Sequence, residues 1–127
     1  MGLVYSNIIL SNPVKPELQP LAIRCLADSG STYLVIPEHV ATQLQLTALE
    51  TREAHTADGS SSHAVPYAGP VRVNFENRNC FVGALIMGDE VLLGAVPMED
   101  MDLVVLPKLL KLSINPESPN IPRGHAK

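Results

Sequence analysis

The stretch that decides the fold is Leu26-Ala27-Asp28-Ser29-Gly30-Ser31-Thr32. An apolar run ends in an acid, and a glycine turn rich in hydroxyls comes at once after it. Upstream, Leu21, Ile23, Cys25 and Ala27 alternate onto one face, which predicts a strand over residues 21–28. A carboxylate at the end of such a strand is held at a barrel mouth. Asp-Ser-Gly alone is a common turn, so the order of the downstream motifs matters. A Gly-tipped hairpin signal, Ala57-Asp58-Gly59-Ser60, comes next. A second apolar run ending in glycine, Val91-Leu92-Leu93-Gly94, comes later still.

Outward from Asp28 the chain reads as short strands punctuated by 8 Gly and 11 Pro. Residues 3–10 form the first strand. Tyr33-Leu34-Val35-Ile36 is a short apolar run stopped by Pro37, which suits the first turn of a helix. Glu38 complements the positive end of that helix, and Val40 and Leu44 share a face. The helix is expected to end near Leu46. Strands are expected over residues 52–56, 62–67, 71–75, 80–87, 91–93, 103–106 and 110–114. Pro66 suits an edge or a flexible arm, and a short helix is expected over residues 97–102. Many short strands and few helical turns indicate an all-β barrel or sandwich. Residues 116–127 hold Pro116, Pro119 and Pro122 without periodicity, and are expected to form an extended or disordered Pro-rich tail beyond a domain over residues 1–115.

Composition narrows the classes. The chain has 127 residues, enough for one domain with its own core. With 46% hydrophobic and 17% charged residues it is neither disordered nor strongly charged. A net charge of −4 argues against a nucleic-acid partner. No apolar run reaches the length of a membrane span. Met1-Gly2-Leu3-Val4-Tyr5-Ser6 fits a myristoylation pattern but reads more simply as the lead into the first strand. Cys25 and Cys80 read as free thiols in a reducing compartment, with one bridge between them left open, and the expected setting is cytoplasmic.

The ordered motifs resemble those of the retropepsin-like aspartic proteases, the single-lobed relatives of retroviral protease and of pepsin. The family hallmark, two apolar residues followed by Asp-Thr/Ser-Gly-Ala/Ser, is matched by Leu26-Ala27-Asp28-Ser29-Gly30-Ser31. Its second hallmark, paired apolar residues before a glycine, is matched by Leu92-Leu93-Gly94. The likeness covers residues 3–115. It implies a small closed acid-protease barrel with one or two short helices and an active site shared by a homodimer. Asp28 would be the catalytic acid and base, and Ser29 would hydrogen-bond across the dimer. Gly30 would allow the tight turn, and Ser31 would donate to the carboxylate. Ala57, Asp58, Gly59 and Ser60 would form the flap tip, while Leu92, Leu93 and Gly94 would support the active loop. Ser29 stands where most relatives carry Thr, which keeps the hydroxyl and loses the methyl.

The chemistry agrees with that likeness. Peptide hydrolysis by carboxylates needs two acids about 3 Å apart that share one proton. This chain has one such motif, since no apolar run precedes Asp58. The second acid must therefore come from another copy, across an isologous interface. The resemblance implies a peptide or protein substrate and no cofactor. Two rival readings stand beside it: a non-catalytic peptide-binding or dimerisation module on the same fold, and a processing domain released from a larger protein. His39, His55, His63 and His125 lack metal-ligand spacing, although His55 and His63 straddle the hairpin. No metal site is expected. No Gly-x-Ser-x-Gly elbow and no phosphate-binding glycine loop is present.

Overall fold

The structure, a computed structural model, describes residues 3–55 and 59–126. Among the described residues, nine strands and two short helices succeed one another in chain order. They are β1 (Val4–Ser11), β2 (Leu21–Ala27), β3 (Leu34–Ile36), α1 (Glu38–Gln43) and β4 (Thr47–His55). Then come β5 (Ser62–Phe75), β6 (Arg78–Ile86), β7 (Val91–Leu93), α2 (Ala95–Asp100), β8 (Leu103–Leu106) and β9 (Lys111–Ile114).

Six strands close a ring in the order β1-β2-β7-β3-β6-β5, sealed where Ile9 to Ser11 of β1 pair with Arg72 to Asn74 of β5. Closure removes the edges that an open sheet would expose. Within the ring β7 runs parallel to β2 and antiparallel to β3, so it lies between the two strands that flank the Asp28 loop. That loop must therefore pass over the end of β7. β4 lies outside the ring on β5, and β8 and β9 form a separate two-stranded sheet.

The alternation that predicts the strands is the alternation that fills the barrel. Val4, Ile8 and Leu10 of β1 meet Val71, Val73 and Phe75 of β5 in one aliphatic core. Cys25 and Cys80 are free and buried in it. Desolvation pushes both thiols up to about 12, so they are inert packing groups at neutral pH.

Several elements differ from their expected bounds. α1 stops at Gln43 because Gln45 takes a left-handed φ of 51°. The amides of Gln45 and Leu46 then bond back to Thr42 and Ala41, a Schellman-type stop. α2 starts at Ala95, two residues before Pro97, because proline is harmless in a first turn whose amides need no helical acceptor. β4 begins at Thr47 rather than Arg52, and it is exposed everywhere except Arg52 and Ala54. A strand so polar carries no period-2 signal. Thr56 lies outside the described residues. β5 is one continuous strand, not two, and passes through a cis Gly69–Pro70 bond. Pro66 pairs with Thr51 of β4 and lies just beyond the start of the β6 ladder at Tyr67.

The C-terminal segment, expected as an extended or disordered tail, has no helix or strand over residues 115–126 but is tied to the body. Ser118 is 6% exposed, and residues 115–123 are hydrogen-bonded to Asn77, Arg78 and Asp102 on the body. Side-chain bonds over long sequence separations hold it, which no periodicity announces.

Candidate active site

Asp28 is half-buried at the end of β2. Its carboxylate Oδ1 accepts the Gly30 N–H at 3.0 Å, and its carbonyl accepts the Ser31 N–H at 3.0 Å. The Asp28 N–H donates to the Leu93 carbonyl at 2.9 Å, which fixes the acid to β7. Gly30 keeps the approach easy: a Cβ there would stand 3.2 Å from Asp28 Oδ1, and the carboxylate would have to give by a few tenths of an ångström.

Gly94 fastens the other side of the loop. A Cβ on Gly94 would fall 2.6 Å from the Ser31 carbonyl oxygen and 2.8 Å from the Thr32 carbonyl carbon, both of them backbone atoms that cannot give way. The next amides use this closeness. Ala95 N–H donates to Ser31 O at 2.7 Å, and Val96 N–H to Thr32 O at 2.9 Å. The first turn of α2 thus satisfies its orphan amides on the Asp28 loop. Leu93 is fully buried in the main core, while Leu92 packs against a second, smaller cluster.

Asp28 and Ser29 open onto a cavity of about 240 Å³ lined by Leu3, Val4, Leu26, Ala27 and Val105. Leu3 is 63% exposed, so this recess reaches the molecular surface. Ser29 is exposed. Ser31 behaves differently from the expectation, because its hydroxyl donates to the Tyr33 carbonyl at 3.4 Å rather than to the carboxylate. Gly59 has a φ of 72° and open space around it, as a hairpin turn needs, and Ser60 beside it is exposed. Ala57 and Asp58, the rest of the expected flap tip, lie outside the described residues. Gly59 and Ser60 are not among the residues lining the Asp28 recess.

His63 pairs opposite Ala54 and His55 opposite Ser62, which puts the two histidines on opposite faces of the hairpin. Among the described residues, no group of three or more His, Cys, Asp and Glu is gathered that could hold a metal ion. Among them, too, no helix is long and apolar enough to cross a membrane.

The second cluster holds residues that the motifs do not reveal. Val35, Ala54, Val65 and Leu85 are buried together beneath the β4–β5 arms, with Tyr33, Tyr67, Met87 and Leu92 around them. Tyr33 leaves the Asp28 loop and meets Tyr67 edge-on, with ring centroids 5.9 Å apart. The Arg52 guanidinium lies 3.7 Å over the Tyr67 ring and 5.3 Å from Tyr33, and also bonds Glu50 at 2.7 Å. Gly83 gives Tyr67 its room, since a Cβ there would run into the ring. The aromatic spacing in the sequence gives no hint of this meeting.

The site is thus an aspartic acid fixed to the strand beneath, on a glycine loop that a second glycine buttresses. Solved structures share the architecture. The EIAV protease complexed with the inhibitor HBY-793 superposes with a TM-score of 0.56 at 13% identity, over 78% of this chain and 88% of that one. The retroviral protease-like domain of Ddi1 from Leishmania major superposes with a TM-score of 0.57 at 9% identity, over 91% of each. The fold is retropepsin-like. No curated protein matches the sequence itself. The family model for aspartyl proteases matches residues 17–121, which include the Asp28 loop, the β4–β5 arms, Gly94 and most of the C-terminal segment. By that match the chain belongs to the aspartyl protease family.

Proposed function

We propose that the protein is an aspartic endopeptidase whose dyad is Asp28 and Asp28 of the partner subunit, brought together in a homodimer. The observation that carries this reading is the position of Asp28. It is tied by its own amide to Leu93, and it borders an apolar recess open to the surface. Hydrolysis by carboxylates needs a second acid, and a two-fold axis beside this recess would supply it.

The steps derive from two carboxylates sharing one proton. The ionised member takes a proton from a bound water, whose oxygen bonds to the scissile carbonyl carbon. The protonated member donates to the oxygen that gains charge. The tetrahedral intermediate then collapses, the C–N bond breaks, and the leaving nitrogen takes a proton from the dyad. Ser29 would hold the two loops in register across the axis. The β4–β5 arms would pair with an extended, mainly apolar peptide segment in strand fashion.

The test is cleavage of a mixed peptide library by wild type and Asp28→Asn, read by mass spectrometry from acidic to neutral pH. Cleavage by wild type alone is expected, with the loss in the variant exceeding about 1000-fold. The rate should pass through a maximum at mildly acidic pH, because the working state lies between the two titration steps of the pair. A well-formed dimer that cleaves nothing would overturn the endopeptidase and leave a peptide-binding or dimerisation module.

A further inference from the structure

Asp102 occupies the joint between α2 and β8 in a left-handed conformation, with φ of 56°. Its two carboxylate oxygens collect three donors from the C-terminal segment. Oδ1 accepts Asn115 Nδ2 at 3.1 Å. Oδ2 accepts the Arg123 N–H at 2.9 Å and the Ser118 hydroxyl. The Asp102 carbonyl also accepts the Asn115 N–H at 3.0 Å. Asp102 and Asn115 stand immediately outside the first pair of the β8–β9 hairpin, Leu103 and Ile114. The carboxylate therefore knots the hairpin base and the segment that leaves it.

A second tie reaches the same segment from the barrel. Arg78 begins β6, is 1% exposed, and donates from Nη2 to the Ser118 carbonyl. Its Nε and Nη1 have no hydrogen-bond partner among the described residues. Asn77 Nδ2 donates to the Pro119 carbonyl at 3.1 Å. Among the described residues the hairpin has no strand pairing with the ring, so its orientation is set by packing and by this base. Leu112 anchors one strand in the core, and Val105 on the other lines the Asp28 recess. Leu109 and Leu110 at the tip are 70% and 49% exposed.

We propose that Asp102 is a positioning residue: by clamping residues 115–123 to the hairpin base it holds the β8–β9 wall of the Asp28 recess in the orientation that a second copy seats against. This rests on the dimeric dyad proposed above for its functional meaning, but not for its geometry. Only an ionised carboxylate suits the place. All three groups donate, so an amide would turn its own N–H₂ towards a donor. The charged groups around it are Arg78 from β6, Glu99 from α2, and Glu117 and Arg123 from the C-terminal segment, with His125 on the same cavity wall. Bonds from Ser118, Arg123 and Asn115 hold the carboxyl down at about 2, so the clamp stays ionised through the mildly acidic range where a carboxylate dyad works.

The experiment compares wild type with Asp102→Asn and, as a milder variant should that one fail to fold, Ser118→Ala. Amide hydrogen exchange is tracked strand by strand, and the dimer dissociation constant is measured by sedimentation. Exchange should rise across Leu103–Ile114 and residues 115–123, while β1, β2 and β6 stay protected. The dimer should weaken by about threefold to thirtyfold. Exchange rising uniformly through the barrel would reduce Asp102 to a general stabiliser, and an unchanged hairpin would overturn the clamp. A monomeric wild type would sink the dyad, while the hairpin exchange would still decide the clamp.

Discussion

Two of the segments outside the closed ring, β4 and residues 115–123, are held in opposite ways. β4 is a regular strand, nine residues long, yet only Arg52 and Ala54 on it are shielded from solvent. It rides on the β5 backbone ladder, with the Arg52 stack and the Ala54 methyl as its side-chain ties to the body. Residues 115–123 have no regular structure beyond turns, yet the side chains of Asn77, Arg78 and Asp102 sew them down. Regularity and attachment are thus separate properties. Local stability tracks the buried contacts and satisfied donors, not the secondary-structure type. The β4 arm is the weakly tied one, and the segment at the hairpin base is the strongly tied one.

Truncation after Asn115 tests the strongly tied side and has the largest expected effect on stability. It strips the Ser118 carbonyl from a guanidinium that is almost fully buried and leaves it without a hydrogen-bond partner. Losing a hydrogen bond to a charged donor, with the packing of the segment over it, costs about 1.5 to 3 kcal/mol. The midpoint of a denaturant melt should fall accordingly. An unchanged midpoint would show that the segment merely drapes the surface, and the comparison with β4 would collapse.

The contrast also explains what is legible in the sequence. β1, β2 and β3 bury one face or lie wholly inside, so their apolar pattern shows in the residues themselves. The Asp28 loop is legible because its residue types and order mark the turn, and Gly94 because a Cβ there would fall 2.6 Å from the Ser31 carbonyl oxygen. The first half of β4 is not legible, since a strand exposed on both faces leaves no alternation. The C-terminal clamp is not legible either. Asp102 meets Arg123 across 21 positions and Arg78 meets Ser118 across 40, and nothing local marks such pairs. Ser31 departs from its expected bond because the Tyr33 carbonyl, two residues on, takes its hydroxyl.

Acid should separate the two segments without any substitution. Asp102 is depressed from 3.8 to about 2, first by the Ser118 hydroxyl, then by the Arg123 amide and Asn115. A depressed carboxyl stabilises the fold above its unfolded value, and the contribution disappears as pH falls through the folded value. Residues 115–123 should therefore keep their protection down to about pH 4 and lose it progressively towards pH 2. Exchange at the Arg123 amide, which donates to this carboxylate, is the direct readout. Protection that persists unchanged at pH 2 would mean that backbone packing, not the carboxylate, holds the segment.

The smallest effect is expected at Arg52, and it sharpens the comparison most. Arg52→Ala removes the cation from Tyr67 and Tyr33 and the partner from Glu50 while leaving the β4–β5 ladder intact. Because the side chain is a surface tie, the global melting temperature should move by no more than about 3 °C. The change should appear instead in the arm, as faster amide exchange at Ala54 and His55 against an unaltered β1 and β6. Arg52→Lys keeps the charge but loses the flat stacking surface, and should fall between wild type and alanine. If the proposed peptidase activity is found, the loosened arm should raise KM more than it lowers kcat, because the tie lies outside the dyad and acts through the strand that would grip the peptide. Equal exchange in wild type and alanine variant would show that the ladder alone holds β4, and that the stack on the two tyrosines is incidental.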